Sequence, residues 1–115
     1  MILTAGKTNV EKLLGGDAAG DKITHICVGT SNTPVTAGDT TLTDEVSVPI
    51  DSVLYPAADL AVFSATLPAS TPSFTIEEMG LRNEAGTLVH RKIVTPAVGH
   101  VFGLAVTLRY QIKVV

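Results

Sequence analysis

At 115 residues the chain is long enough for one domain and too short for two ordinary ones. Its net charge is −3 and its basic residues are scattered, which argues against a nucleic-acid partner because such binding needs a clustered positive surface. Hydrophobic residues make up 45% of the chain and charged residues only 17%, so we expect a thin core and apolar surface that is shared between subunits.

The N-terminal segment and the lengths of the apolar stretches predict a soluble protein that is made in a cytoplasm. The N-terminus lacks the apolar core of a signal peptide, and no stretch approaches the ~20 apolar residues of a membrane span, so we expect no membrane partner. The single cysteine, Cys27, excludes a disulfide within the chain. Its apolar surroundings predict a buried thiol, with a bond between subunits as the alternative.

The first 29 residues predict one helix and one strand. Residues 5–14 form the helix, because Val10, Leu13 and Leu14 share one face and two glycines follow. So short a helix is marginal alone, and we expect it to dock through that face. After a flexible loop, residues 22–29 predict a strand that is buried on both faces, since its apolar residues fall on both parities.

Residues 30–43 predict a long loop, because they are rich in Thr, Ser, Asn, Pro and Gly and have little driving force to pack. Loops of this length without structure of their own are usually functional or interfacial. We therefore take this segment as the candidate contact loop, with Ser31, Asn32, Thr33, Pro34 and Asp39 as its candidate contact residues.

Two further strands follow the loop. Residues 46–54 alternate, with Val46, Val48, Ile50 and Leu54 pointing to one side. Pro49 cannot donate a ladder hydrogen bond, which places this strand at a sheet edge or at a bulge. Residues 59–67 predict the next strand, which presents Phe63 and Leu67 on one face and Leu60 and Val62 on the other.

Residues 74–94 predict a β-hairpin closed by the polar connector 83–86, in which Gly86 is able to take a positive φ. Glu78 falls on the parity of Phe74 and Ile76. If that face is buried, the carboxylate must be met by backbone N–H groups or by an arginine, because a lone buried charge is costly. The candidate arginines are Arg82, Arg91 and Arg109.

Residues 102–114 predict the final strand, since every even position from Phe102 to Val114 is apolar. One helix and about six strands, with no helices between the strands, predict an all-β fold with antiparallel pairing. We expect a small antiparallel β-sandwich with one short N-terminal helix, and an open barrel as the alternative. Residues 1–115 form a single domain, in which residues 1–21 hold the helix and a loop and residues 22–115 the sandwich.

None of the catalytic or metal-binding motifs that we tested is complete. Gly6-Lys7-Thr8 lacks the rest of a phosphate-binding loop, and no serine lies in a nucleophile elbow. No two histidines have the spacing of a metal clamp, and Glu77 and Glu78, adjacent in a strand, face opposite sides of the sheet. We therefore expect no catalytic residue, no cofactor and no metal, and a protein that is not an enzyme.

Two segments resemble small phage tail-fibre and tail-collar structural proteins. FTIEEMGL followed by NEAGTL is similar to the hairpin of that family, whose pattern is matched by Glu78, Gly80, Leu81, Gly86 and Leu88. The opening pattern of the family is matched by Ile23, Ile26, Gly29, Thr30, Pro34, Asp39, Thr40, Leu42, Glu45 and Val46. The chain departs from the pattern at Ser31, where glycine is usual, and at Arg82, where Phe is common. It also lacks a fibre shaft, so it resembles the attachment module alone.

The resemblance implies a non-enzymatic structural protein of the virion, made in the host cytoplasm and placed in the tail, collar or baseplate. Its expected partners are other virion proteins and further copies of itself, arranged as a trimer or a ring, which would join one component to another. A capsid decoration protein and a receptor- or carbohydrate-binding module are the alternatives. Tyrosines and phenylalanines are too few and too dispersed to favour a sugar-stacking surface.

Overall fold

A computed structural model describes residues 1–113 and confirms the all-β prediction. One helix is followed by seven strands that form two antiparallel sheets. The elements are α1 (Thr4–Gly15), β1 (Ile23–Gly29), β2 (Val46–Pro49), β3 (Ser52–Ala57), β4 (Leu60–Leu67), β5 (Phe74–Asn83), β6 (Leu88–His100) and β7 (Val106–Lys113).

The two sheets pack face to face as a small sandwich. The first sheet has the strand order β2-β1-β5-β6 and the second has the order β3-β4-β7. Aliphatic side chains from both sheets, together with Tyr110, fill the space between them. The buried members of this core are Ile26, Val28, Val48, Ala65, Leu67, Ile76, Met79, Leu81, Val89, Leu108 and Tyr110.

The strand expected over residues 46–54 is two strands that belong to different sheets. The N–H of Ile50 donates to the carbonyl oxygen of Thr24 in β1 of the first sheet, whereas the N–H of Asp51 donates to the carbonyl oxygen of Ser64 in β4 of the second sheet. The chain therefore crosses between the sheets at this point. After the crossing, the side chains alternate in the opposite sense to the predicted one. Leu54 is therefore 60% exposed instead of pointing inward. Pro49 ends β2, which is an edge strand as predicted.

β1 is buried on both faces, as its sequence predicts. Ile26 and Val28 contribute to the core between the sheets, while Cys27 faces the other way. Cys27 lies in a second apolar cluster with Leu3, Leu42 and Leu88. Through this cluster the N-terminal residues and the loop that follows β1 cover the outer face of the first sheet.

The hairpin of β5 and β6 closes as predicted, with Gly86 at a φ of 82°. The pairing of the two strands is irregular between Ile76 and Glu78. Ile76 and then Met79 face the core, so the expectation that Glu78 shares a face with Ile76 is wrong. The irregularity changes the parity of β5 and directs Glu78 to the outer face of the first sheet.

The last strand is shorter than its alternating sequence predicts. β7 spans Val106–Lys113, and residues 101–104 form a turn in which Gly103 has a φ of 95°. Phe102 and Leu104 are therefore exposed instead of buried. Within β7 the expected alternation holds, with Leu108 buried and the odd positions exposed. The predicted extension of this strand to Val114 lies outside the described residues.

Helix α1 docks through a face that differs from the predicted one. Gly6 lies against Val89 of β6, and Asn9 is buried in hydrogen bonds with Asp21 and Asn83. Val10, Leu13 and Leu14 are 42%, 46% and 84% exposed. The contact is close because Gly6 has no side chain: a Cβ there would lie 2.1 Å from the carbonyl oxygen of Val89. No helix within residues 1–113 is long and apolar enough to cross a bilayer.

Candidate functional site

The candidate contact loop lies on the outer face of the first sheet, where the buried carboxylate of Glu78 holds both of its ends. One carboxylate oxygen, Oε2, accepts hydrogen bonds from the backbone N–H groups of Ser31 at 2.9 Å and Thr43 at 3.0 Å. Ser31 and Thr43 are near the first and last residues of the loop, and Glu78 is fully buried between them. A single side chain therefore closes the base of the loop.

Arg91 extends this contact to the middle of the loop. Its Nε donates to Oε1 of Glu78 at 2.8 Å, and its Nη1 donates to Oδ2 of Asp39 at 2.9 Å. The third nitrogen, Nη2, donates to the carbonyl oxygen of Thr33 at 3.0 Å. Arg91 is 4% exposed, so its charge is compensated by two carboxylates in a site with little water.

Asp39 is held by the loop as well as by Arg91. Its carboxylate accepts hydrogen bonds from the N–H of Thr36 at 3.0 Å and from the hydroxyl of Thr36 at 2.8 Å. These bonds, and then the guanidinium of Arg91, lower the pKa of Asp39 below its usual 3.8. The aspartate is therefore charged at neutral pH, and it links the turn of the loop to the arginine beneath.

A second ion pair, between Arg82 and Glu45, holds the chain just after the end of the loop. The guanidinium of Arg82 donates from Nε and Nη2 to the carboxylate of Glu45 at 2.7 and 2.6 Å. Burial alone would raise the pKa of Glu45, but the bonds from Arg82 outweigh this effect and leave that pKa below its usual 4.5. Arg82 also donates to the carbonyl oxygen of Gly86, which joins this pair to the hairpin turn.

Gly29 and Gly80 allow neighbouring segments to lie close to the backbone of the first sheet. A Cβ at Gly29 would lie 2.6 Å from Oε2 of Glu78 and 2.7 Å from the carbonyl oxygen of Thr43. A Cβ at Gly80 would lie 2.8 Å from the carbonyl oxygen of His90 and 2.8 Å from Cδ1 of Leu88. Both contacts are shorter than side chains tolerate, so the backbone at these two positions requires glycine.

Some of the residues that the sequence singles out meet at this network, and others lie elsewhere in the fold. Of the predicted contact residues, Asn32, Thr33 and Pro34 are exposed, whereas Ser31 and Asp39 are half-buried and bonded within the network. Of the hairpin residues, Glu78 lies under the loop, and Gly80 lies beside the cluster that contains Cys27 and Leu88. Leu81 is buried in the core between the sheets, and Gly86 forms the hairpin turn.

The requirement for a partner to a buried Glu78 is confirmed, and Arg91 is the arginine that supplies it. The sequence left three arginines open, and the structure separates them. Arg82 binds Glu45, and Arg109 is exposed on β7 in the second sheet. Glu45 matches the family pattern, but its pairing with Arg82 had no signal in the sequence, because the two residues are 37 positions apart.

The three histidines lie apart and serve in hydrogen bonds. His25 contacts the hydroxyl of Thr24, and His90 contacts the hydroxyl of Tyr110. His100 contacts the carbonyl oxygens of Pro72 and Leu104. Within the part of the chain that the structure describes, no group of three or more His, Cys, Asp or Glu side chains is arranged to hold a metal ion.

The chemistry of the network is that of a structural clamp. Both oxygens of the Glu78 carboxylate and all three nitrogens of the Arg91 guanidinium are engaged, and the carboxylate is shielded from solvent by the loop that it holds.

Comparison of the chain with protein-family models, curated proteins and solved structures finds no match. The function of this site is therefore inferred from its own contacts and from the resemblance of its sequence.

Proposed function

We propose that the chain is a non-enzymatic structural protein of a tailed-phage particle, an oligomeric component or adaptor of the tail, collar or baseplate. The observation that carries the proposal is that residues of the family pattern fix the contact loop in one shape on the outer face of the first sheet. Glu78, Asp39 and Gly29 are all pattern residues, and all three serve the clamp.

A structural role accounts for where the charges are placed. Glu78 and Arg91 are almost fully buried and bonded to each other and to the backbone of the loop. Groups that are buried in this way are not accessible to a substrate, and their removal would release the loop. A buried ion pair of this kind serves to specify a conformation more than to stabilise the fold, which suits a surface that must fit a partner.

The clamp leaves an exposed, uncharged ridge for the partner. Asn32, Thr33 and Pro34 project from the loop, while the backbone beneath them is held through Ser31 and the carbonyl oxygen of Thr33. A loop that is already ordered loses little conformational entropy on binding. This ridge is therefore the surface through which the chain would attach to another component of the particle.

The first test is whether the chain is found in particles and where. Particles released by cells that encode the chain are purified, analysed by mass spectrometry and labelled with an antibody against it. We expect the label on tails, at the collar or at the baseplate. Label on heads would favour a decoration protein, and particles without the chain would refute the proposal.

The second test addresses the ridge. Asn32 is replaced by Glu, and incorporation of the variant into particles is compared with that of Thr107→Glu. Thr107 is also exposed but lies on β7 in the second sheet, so this control makes a similar charge change far from the loop. We expect the loop variant to fold, as judged by circular dichroism, and to be lost from particles. Equal incorporation of both variants would exclude the ridge as the contact.

A further inference from the structure

The two sheets present four edge strands, and β7 differs from the other three. β2 is short and ends at Pro49, and β3 contains Pro56 and pairs with β4 in an irregular register. β6 contains Pro96 and pairs irregularly with β5, and the N-terminal residues are hydrogen-bonded to its first part. Short length, prolines and bulges are devices by which proteins keep edge strands from pairing with other chains.

β7 has none of these features. All eight of its residues pair with β4 in an unbroken register, from Val106 with Leu67 to Lys113 with Leu60. β7 is the last strand of the second sheet, and within residues 1–113 no strand pairs with its other side. Covering that edge needs an extended segment of comparable length, which the two residues after Lys113 do not supply. β7 is therefore the edge that is open to a strand from another chain.

An apolar cleft lies beside this edge, between β7 and β6, and its volume is about 150 Å³. We refer to it as the edge cleft. Val98, on its β6 side, is 44% exposed, so the cleft opens to solvent. A cavity of about this volume with an aliphatic lining holds a group as large as benzene. The apolar lining consists of Ile76, Met79, Val94, Val98, Val106 and Leu108.

A strand added to the edge of β7 would place side chains in the edge cleft. Residues that lie opposite each other on paired strands project to the same face of the sheet. Leu108 and Tyr110 face the first sheet, so every second side chain of an added strand would face it too. The edge cleft has room for one aliphatic side chain beside Leu108. The inward positions of a strand that fits this edge are therefore aliphatic.

The outward side chains of β7 select the charge of the added strand. They are Thr107, Arg109, Gln111 and Lys113, of which two are cations and none is acidic. Arg109 takes part in none of the ion pairs found within residues 1–113, and Lys113 lies 3.9 Å from Asp59 with both side chains exposed. An acidic residue directly opposite one of these cations is favourable, and a basic one is unfavourable.

We propose that β7 binds an extended segment of a partner protein by strand addition, and that this segment alternates aliphatic residues with acidic or small polar ones. Backbone hydrogen bonds to β7 hold the segment, an aliphatic side chain fills the edge cleft, and carboxylates face Arg109 and Lys113. The ridge of the proposed function lies on the first sheet, so this contact is a second one, on the second sheet. It goes beyond the proposed function and rests on β7 and the edge cleft alone.

A second copy of β7 does not fit this edge. Pairing two copies antiparallel with Gln111 at the centre sets Arg109 of each copy opposite Lys113 of the other. Moving the centre to Arg109 sets that arginine against itself. Like charges directly opposite each other destabilise a sheet. The two cations therefore oppose self-pairing and favour an acidic strand.

The first experiment adds synthetic peptides to the isotope-labelled protein, up to about 1 mM, and follows the backbone amide signals by NMR. The acidic probe is TVEVTVEVT, whose glutamates are four positions apart, as Arg109 and Lys113 are. The basic probe is TVKVTVKVT. We expect the acidic probe to shift the signals of β7 and of the residues around the edge cleft. The basic probe should bind at least about tenfold more weakly.

Methylation of the backbone nitrogens of the acidic probe tests the pairing itself. Alternate N–H groups of an added strand face β7, and the others face solvent. One probe is methylated on its valines, and a second is methylated on its threonines and glutamates. We expect one of the two to retain binding and the other to lose about tenfold or more in affinity. Equal affinities would show that side chains alone hold the peptide and would overturn strand addition.

Two variants of the protein test the side-chain contacts. Arg109→Glu reverses one outward charge, and Val98→Glu places a charge in the edge cleft at a site that is already exposed. We expect each to weaken binding of the acidic probe by about fivefold or more. The matched control is Leu54→Glu, on the opposite edge of the second sheet. Thr107→Glu keeps both cations and should bind within about threefold of the wild type, so it stays valid as the control for the ridge. Circular dichroism establishes that all four variants fold.

An acidic probe that does not bind, or that shifts only signals away from β7, would overturn the inference. A self-association of the wild type that Arg109→Glu abolishes in sedimentation velocity would assign the edge to a second copy and overturn it as well. These results do not bear on the ridge, because the probes are tested on the purified chain. Absence of the chain from particles would refute the proposed function and leave the binding of the acidic probe unchanged.

Discussion

The buried carboxylate of Glu78 offers the most direct test of the clamp, through the substitution Glu78→Gln. The amide has the shape of the carboxylate but only one acceptor oxygen. If that oxygen keeps the N–H groups of Ser31 and Thr43, the NH₂ group faces the Nε–H of Arg91, donor against donor. If the amide flips, the same conflict arises at the two backbone groups. Neither orientation satisfies all three donors.

The expected loss follows from the burial of the pair. Removing one partner of a buried ion pair typically costs about 3–5 kcal/mol, because the other charge is left uncompensated. Arg91 retains Asp39 and the carbonyl oxygen of Thr33, so we take the lower end, about 3 kcal/mol. This is a large part of the roughly 5–15 kcal/mol that stabilises a typical protein. It lowers the midpoint of urea unfolding by about 1–3 M.

The measurement is urea unfolding followed by circular dichroism, since the chain has no tryptophan. The matched control is Glu77→Gln, which makes the same change at the adjacent residue. Glu77 takes part in none of the ion pairs found within residues 1–113, and we expect it to lose about 0.5 kcal/mol or less. A loss at Glu78 no greater than the loss at Glu77 would refute the clamp.

Three further predictions concern single residues. Burial raises the pKa of Cys27 to about 12, so we expect a thiol reagent to modify it only after unfolding, and labelling of the folded protein would contradict this. Burial also lowers the pKa of His90 from 6.5 to about 4. The unfolded chain then binds the proton more readily, so the contribution of His90 to stability is constant above pH 6.5 and is lost as the pH falls towards 4. We therefore expect His90→Gln to reduce the dependence of stability on pH between 6.5 and 4 in urea titrations. Gly29→Ala should cost about 1–3 kcal/mol in the same assay because its Cβ has no room, whereas Gly38→Ala, with open space around it, should cost less than about 0.5 kcal/mol.

The sequence was sufficient to predict the elements whose side chains alternate or cluster over several residues. The burial of β1 on both faces, the edge position of Pro49 and the turn at Gly86 all follow from local patterns, and the structure confirms them. Each of these features depends on residues that are close in the chain. The local sequence therefore carries the information needed to predict them.

The errors arise where a distant contact overrides the local pattern. The helix docks through Gly6 because the absence of a side chain lets it approach Val89, an advantage that a hydrophobic pattern does not register. The alternation from Phe102 onwards predicts a strand, but the N–H groups of Phe102 and Gly103 donate to Ser73 and Ala69, and these hydrogen bonds hold residues 101–104 in a turn. The irregular pairing at Glu78 likewise depends on β6 and has no signature in β5 alone.

The same reasoning explains why the first sheet carries a buried ion pair where apolar residues would also fill the space. Replacing Glu78 and Arg91 by Leu and Met would keep the volume and avoid two desolvated charges, which is often neutral or stabilising for a fold. It would also leave the N–H groups of Ser31 and Thr43 without an acceptor in a partly buried site. The loop would then move away from the sheet to reach water. The ion pair is therefore required by the loop, and the exposed ridge at Asn32 and Pro34 keeps its shape because of it.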